Sequence, residues 1–180
     1  MKSTNKSEKL IKMVNSWLLV ICWACVIFYL SSRTADESTV QSRGMINSVS
    51  SIFGTVIDSN KLVWIDGIVR ESAHAAEYFI LGVLLYNALI ICLNYRKQEE
   101  MMLTAQTGVM VTDRFRELNC FICSLLICSI YALSDEIHQI PVPGRTFQMI
   151  DLILDVSGAA FGTLFMLIIY KVMEKKRRHK

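Results

Sequence analysis

The chain has 180 residues, of which 53% are hydrophobic and only 19% charged. That balance excludes an ordinary soluble domain, and the length leaves room for one domain. A net charge of +3, gathered at chain ends and in one loop, points to membrane topology and anionic lipid rather than to nucleic acid.

Residues 1–14 are a polar lead with Lys2, Lys6, Lys9 and Lys12. The apolar block over 16–31 follows. It has the lysine-rich start of a signal peptide, but Leu30-Ser31-Ser32-Arg33 offers no small-x-small cleavage site, so it is expected to stay as a span. Further blocks over about 74–94, 118–134 and 150–172 approach the roughly 17–25 residues needed to cross about 30 Å of hydrocarbon as a helix. The fold class expected is an all-α membrane protein, one domain over 1–180 with four transmembrane helices.

Between the first and second spans, Met45, Ile46, Val49, Ile52, Phe53, Val56 and Ile57 recur at helical spacing, with Asn47, Ser48, Ser50, Ser51 and Asp58 opposite. This pattern predicts a short amphipathic extracytoplasmic helix on the membrane surface or over the bundle mouth. Trp64 reads as an interfacial anchor. The loop between the second and third spans has no chemical motif, and the basic tail after the fourth is a stop-transfer run. Of 19 basic residues, 14 lie before the first span, between the second and third, or after the fourth. Arg33, Arg43, Lys61, Arg70 and Arg145 lie on the other side. By the positive-inside rule both termini are expected to be cytoplasmic.

The six cysteines include Cys22-x-x-Cys25 and Cys120-x-x-Cys123. The first pair falls mid-span and the second at a span end, so a shared zinc site is not expected. They read as small packing residues.

The unusual residues collect on one face of the membrane. Arg70, His74, Glu77 and Tyr78 open the second span, with Arg70, His74 and Tyr78 at i, i+4 spacing on one helix face. Ser134, Asp135, Glu136, His138 and Gln139 end the third. Pro141, Pro143 and Gly144 make a turn that holds Arg145, and Asp151 and Asp155 open the fourth. A charged residue at the bilayer centre costs roughly 2.5–3.5 kcal/mol, less near the interface, so such groups are expected to pair or to bind a ligand. Gly158-x-x-x-Gly162 marks a close helix approach to the second or third span.

Three chemistries fit the cluster. His74, Glu77, Asp135, Glu136, His138, Asp151 and Asp155 are nitrogen and oxygen donors suited to a divalent metal ion. Without a metal, histidine and carboxylates could act as acid and base on a lipid headgroup, with Arg70 and Arg145 clamping an anion. A satisfied polar network that locks three helices is the third. Whether the protein is an enzyme stays open at this stage, because there is no HExxH helix and no Ser or Cys with an evident base.

The order of these motifs resembles the VanZ-like family of small bacterial membrane proteins: FYLSS over 28–32, R-x-x-x-H-x-x-E-Y over 70–78, SDE-x-HQ over 134–139, PGR over 143–145, and D-x-x-x-D-x-x-G-x-x-x-G over 151–162. Glu71 and Ala75 depart from the lysine and the aromatic residue common there. The resemblance implies a multi-pass protein of the bacterial cell membrane and a link to teicoplanin resistance or cell-envelope modification. It also implies partners among membrane lipids, lipid-linked envelope precursors or the glycopeptide. A metal-dependent hydrolase or phosphotransferase acting on a lipid headgroup, and a non-catalytic scaffold for another envelope enzyme, are the alternatives.

Overall fold

A computed structural model describes residues 2–54, 58–107 and 116–178. Five helices follow one another: α1 (Lys2–Ser31), α2 (Ala35–Ile52), α3 (Ser59–Thr107), α4 (Arg116–Gln139) and α5 (Met149–Arg178). No strand occurs among the described residues. Four segments are long and apolar enough to cross a membrane: Lys6–Ser31, Ser59–Arg96, Arg116–Gln139 and Met149–Arg177. The all-α, four-span architecture is therefore as expected.

Each helix boundary has a local cause. At the end of α1 the Ser32 hydroxyl donates to the Phe28 carbonyl at 2.7 Å. Thr34 then caps α2 in a reciprocal box: its hydroxyl accepts from the Glu37 N–H at 3.3 Å, and its own N–H donates to the Glu37 carboxylate at 3.2 Å. Asp36 and Glu37 add negative charge to that first turn, where the helix dipole favours it. After Phe53 the chain leaves α2 through Gly54 at φ +63°, a left-handed conformation that suits glycine. Pro141 follows α4 closely and disfavours helical geometry at Ile140. The turn closes through Val142 N–H to Gln139 O at 2.9 Å and Arg145 N–H to Val142 O at 3.0 Å, with Gly144 at φ +76°.

Two elements differ from the sequence pattern. α3 begins at Ser59, well before residue 74, and takes in the stretch with Trp64. No proline lies before Pro141, and Gly67 keeps helical geometry, so nothing in the backbone interrupts the run. At about 1.5 Å per residue its 49 residues far exceed the hydrocarbon thickness. The helix between the first and second spans starts at Ala35 rather than near Met45. Of its expected apolar stripe only Ile46 is buried, while Met45, Val49, Ile52 and Phe53 stay exposed. Val56 and Ile57 lie outside the described residues.

α3 is the central helix and packs on each of the other four. Its most extensive contact is with α5, and glycine makes it possible. A Cβ on Gly158 would fall inside van der Waals contact of the Ala75 carbonyl oxygen, and one on Gly162 inside that of Phe79. Reciprocally, a Cβ on Gly82 would lie 2.6 Å from the Ala159 carbonyl oxygen. The partner of the glycine stripe is thus the second span. Ile27, Tyr78, Leu81, Leu85, Cys128, Ala132 and Ala159 fill the interior, while Leu19, Ile130, Phe161 and Phe165 point outward. An apolar exterior is what lipid requires. None of the six cysteines forms a disulfide; Cys120 and Cys128 are buried, but Cys22, Cys25 and Cys123 face outward rather than into the core.

Candidate functional site

All the polar motifs meet at one end of the bundle. At the opposite end Asn94 and Arg116 both donate to the Tyr170 hydroxyl, at 3.4 and 3.3 Å, and Arg116 pairs with Glu117 at 3.3 Å. That second group ties the far ends of α3, α4 and α5 together, and it had no motif in the sequence.

The motif at the end of α4 splits among several neighbours. Asp135 and Gln139, one turn apart, face inward and are buried. The Ser31 hydroxyl donates to Asp135 Oδ2 at 2.6 Å, and Gln139 Nε2 donates to the same oxygen at 3.2 Å. Asp135 Oδ1 is buried without a hydrogen-bond partner. Glu136 turns toward α5, where its carboxylate accepts the Gln148 N–H at 3.0 Å. It sits at the N-terminus of that helix, where negative charge is favoured. His138 stacks on Phe28 with ring centroids 4.2 Å apart, its Nε2 is 3.1 Å from the Ser32 hydroxyl, and it faces the end of α1. Ser134 donates to the Tyr131 carbonyl of its own helix at 2.7 Å and takes no part in the cluster.

Removing the Ser31 hydroxyl withdraws one of two donors from a buried carboxylate. Ser31→Ala is expected to cost about 1–3 kcal/mol, read as a lower melting temperature in detergent. Ser32→Ala, at an exposed hydroxyl, should move it less.

Deeper in the bundle Asp155 is 1% exposed, and its Oδ1 has no hydrogen-bond partner. Asp135 and Glu136 of α4, Asp151 of α5 and Glu77 of α3 lie within its electrostatic reach. Tyr78 is fully buried, its hydroxyl is unpartnered, and its ring centroid lies 6.2 Å from that of Tyr131. Asp151 is half-buried near His74, Glu136 and Arg145.

Above this acidic layer is a cavity of about 110 Å³ between the end of α1, α2, α3 and the proline turn. Arg33, Arg70, His74, Glu77 and Arg145 line it. His74 Nδ1 is 3.8 Å from Glu77 Oε2, too long for a hydrogen bond. The backbone carbonyl of Glu77 accepts the Trp23 indole N–H at 2.9 Å, which fixes this turn of α3 to α1. Arg70 Nε is buried without a hydrogen-bond partner. Arg145 Nε makes a long bond of 3.4 Å to the Arg33 carbonyl. Burial first, and then the like charge of Arg70, hold the Arg145 pKa below the ordinary arginine value. Arginine nevertheless stays charged, so the cavity wall carries guanidinium groups that crowd one another.

Arg70, His74, Glu77 and Arg145 are thus brought together around the cavity; Tyr78, Asp135, Gln139 and Asp155 lie in the buried layer beneath. Among the described residues no three His, Cys, Asp or Glu side chains are grouped so as to hold a metal ion. The heptad of candidate ligands points in several directions, with Glu136 and His138 drawn to α5 and α1.

Sequence reasoning missed the part played by Ser31, Arg33 and α2. The FYLSS motif drew attention to this region, but not to a serine that reaches Asp135. α2 supplies Ser38, Gln41 and Met45 to the cavity. It is clasped to α3 by a short hydrogen bond from the Ser42 hydroxyl to Asp66 and by Arg43 Nε 3.8 Å from the same carboxylate. A polar face on a helix beside an unexplained acid is the signal that could have found it.

The fold and site define a multi-pass α-helical membrane protein with a buried polar cluster and a small cationic cavity at one end. The family model described as VanZ/LLP1 matches residues 16–170, and the chain belongs to that family. Neither a curated protein nor a solved structure matches the chain.

Proposed function

We propose that this protein resides in the bacterial cell membrane with both termini cytoplasmic, and that its outward-facing cavity binds an anionic component of the envelope and so reduces the action of glycopeptides such as teicoplanin. The observation that carries this is the convergence of Arg70 and Arg145 on one small cavity with a single lining carboxylate, Glu77. Like charges brought together at the end of a bundle, one with a buried unpartnered Nε, favour an anion between them. The orientation rests on the 14 of 19 basic residues on the side of the termini. The family's link to teicoplanin supplies the biological setting, since lipid-linked wall precursors and the drug meet on the outer face.

Cells carrying Arg70→Ala or Arg145→Ala are expected to be as susceptible to teicoplanin as cells without the protein, while membrane levels stay at those of the parent. If both variants protected cells fully, the cluster would be structural. For the orientation, a fluorescent protein fused after Lys180 should fluoresce as cytoplasmic fusions do, and one inserted after Gly54 should stay dark. The reverse pattern would place the cavity on the inner face.

A further inference from the structure

Building on the anion-binding reading, we infer that the cavity accepts one phosphate group, as a lipid phosphate or as free phosphate, and that a glycopeptide does not enter it. Size decides the second half. A cavity of about 110 Å³ has room for a handful of waters. Pockets for drug-sized ligands run to roughly 300–1,000 Å³, and a glycopeptide is larger than such a ligand. A single oxyanion with a water or two is what fits.

Geometry decides the first half. Arg70 stands on α3 and Arg145 in the proline turn, so two guanidinium groups approach from two separate elements, while the Arg33 guanidinium donates to the Tyr29 hydroxyl at 2.8 Å and stays outside. A carboxylate has two oxygens in one plane and is satisfied by one fork. A phosphate presents oxygens in several directions and can meet both. Leu30, Met45 and Val69 make part of the wall, and Met45 is 60% exposed. A chain leaving the phosphate would therefore run over apolar side chains. That contact adds affinity for a lipid over the free ion, by burial of its methylenes.

Full-length protein in a phosphate-free maltoside detergent is titrated with dioctanoyl phosphatidic acid, inorganic phosphate and octanoate, followed by calorimetry and melting temperature. Phosphatidic acid is expected to bind and raise the melting temperature, octanoate to do neither. Arg70→Ala and Arg145→Ala are expected to lose tenfold or more in affinity. Arg70→Lys, which keeps the charge but not the fork, covers the case in which alanine does not fold, and should also bind more weakly. Inorganic phosphate binding as tightly as the lipid would support the phosphate and identify the free ion as its source. Octanoate binding as tightly as phosphatidic acid would overturn the phosphate while leaving an anion site in place. Failure of all three ligands, or binding unchanged in folded Arg70→Lys and Arg145→Ala, would overturn both the phosphate and the anion site. Teicoplanin is titrated in a separate run and is expected not to compete with phosphate; binding of teicoplanin that phosphate displaces would overturn the size argument.

Discussion

Gly162→Val is expected to remove nearly all folded protein from the membrane, and Gly158→Val to do almost as much. Both positions are buried, and an added Cβ meets backbone carbonyl oxygens of α3 rather than the flexible end of a side chain. Relief requires the two helix axes to separate along their whole crossing. Overpacking a core costs about 1–3 kcal/mol where side chains can give, and more where only backbone can. The crossing also carries the largest share of the interhelical packing, and it sets the position of Asp151 and Asp155 against His74 and Glu77. Without a hydrophobic force between helices in lipid, close backbone approach is what holds them. Monodisperse yield on size exclusion reads the effect. Gly67→Ala is the control: nothing lies within 4 Å of a Cβ there. It should be neutral or stabilise by up to about 1 kcal/mol through helix propensity. Equal loss at Gly67 and Gly162 would argue against the close crossing.

Asp135→Ala should be the most damaging change among the polar residues. Asp135 joins α1 to α4 through Ser31 and anchors Gln139 on its own helix. Truncation leaves a buried hydroxyl and a buried amide without an acceptor, each costing about 1–3 kcal/mol. A melting temperature lowered well beyond that of Ser31→Ala is the expected result. Asp135→Asn retains an acceptor oxygen and removes a negative charge from the neighbourhood of Glu77 and Asp155. It should therefore melt closer to the parent. If Asp135→Ala and Asp135→Asn behaved alike, the carboxylate oxygens would not be what joins these helices.

Much of the architecture was legible in the amino-acid order because the bilayer is a demanding solvent. Four long apolar runs can only be helices in lipid, since every backbone N–H and C=O must be satisfied within the segment. The same cost of burying charge made Arg70, His74, Asp135 and Asp155 conspicuous, and the prolines marked the end of α4. The start of α3 was not legible, because residues 59–73 mix polar and apolar groups and only the uninterrupted backbone carries the helix through them. α2 was displaced for a related reason: its capping box at Thr34 and Glu37 sets its start, while the apolar stripe further on stays uncovered.

The sequence by itself determined the class of protein, the number of spans and which end of the bundle would be polar. Those properties follow from hydropathy and from one-dimensional order. Only tertiary structure decided how the polar residues divide. Asp135 was drawn to α1, Glu136 to the start of α5, and His138 to Phe28, although all three come from one short motif. The division arises because successive residues on a helix point about 100° apart, so which neighbour each one meets depends on how the helices cross. Here that crossing is set by the glycines of α5 against the backbone of α3, and it leaves Arg70 and Arg145, from separate elements, beside one small cavity.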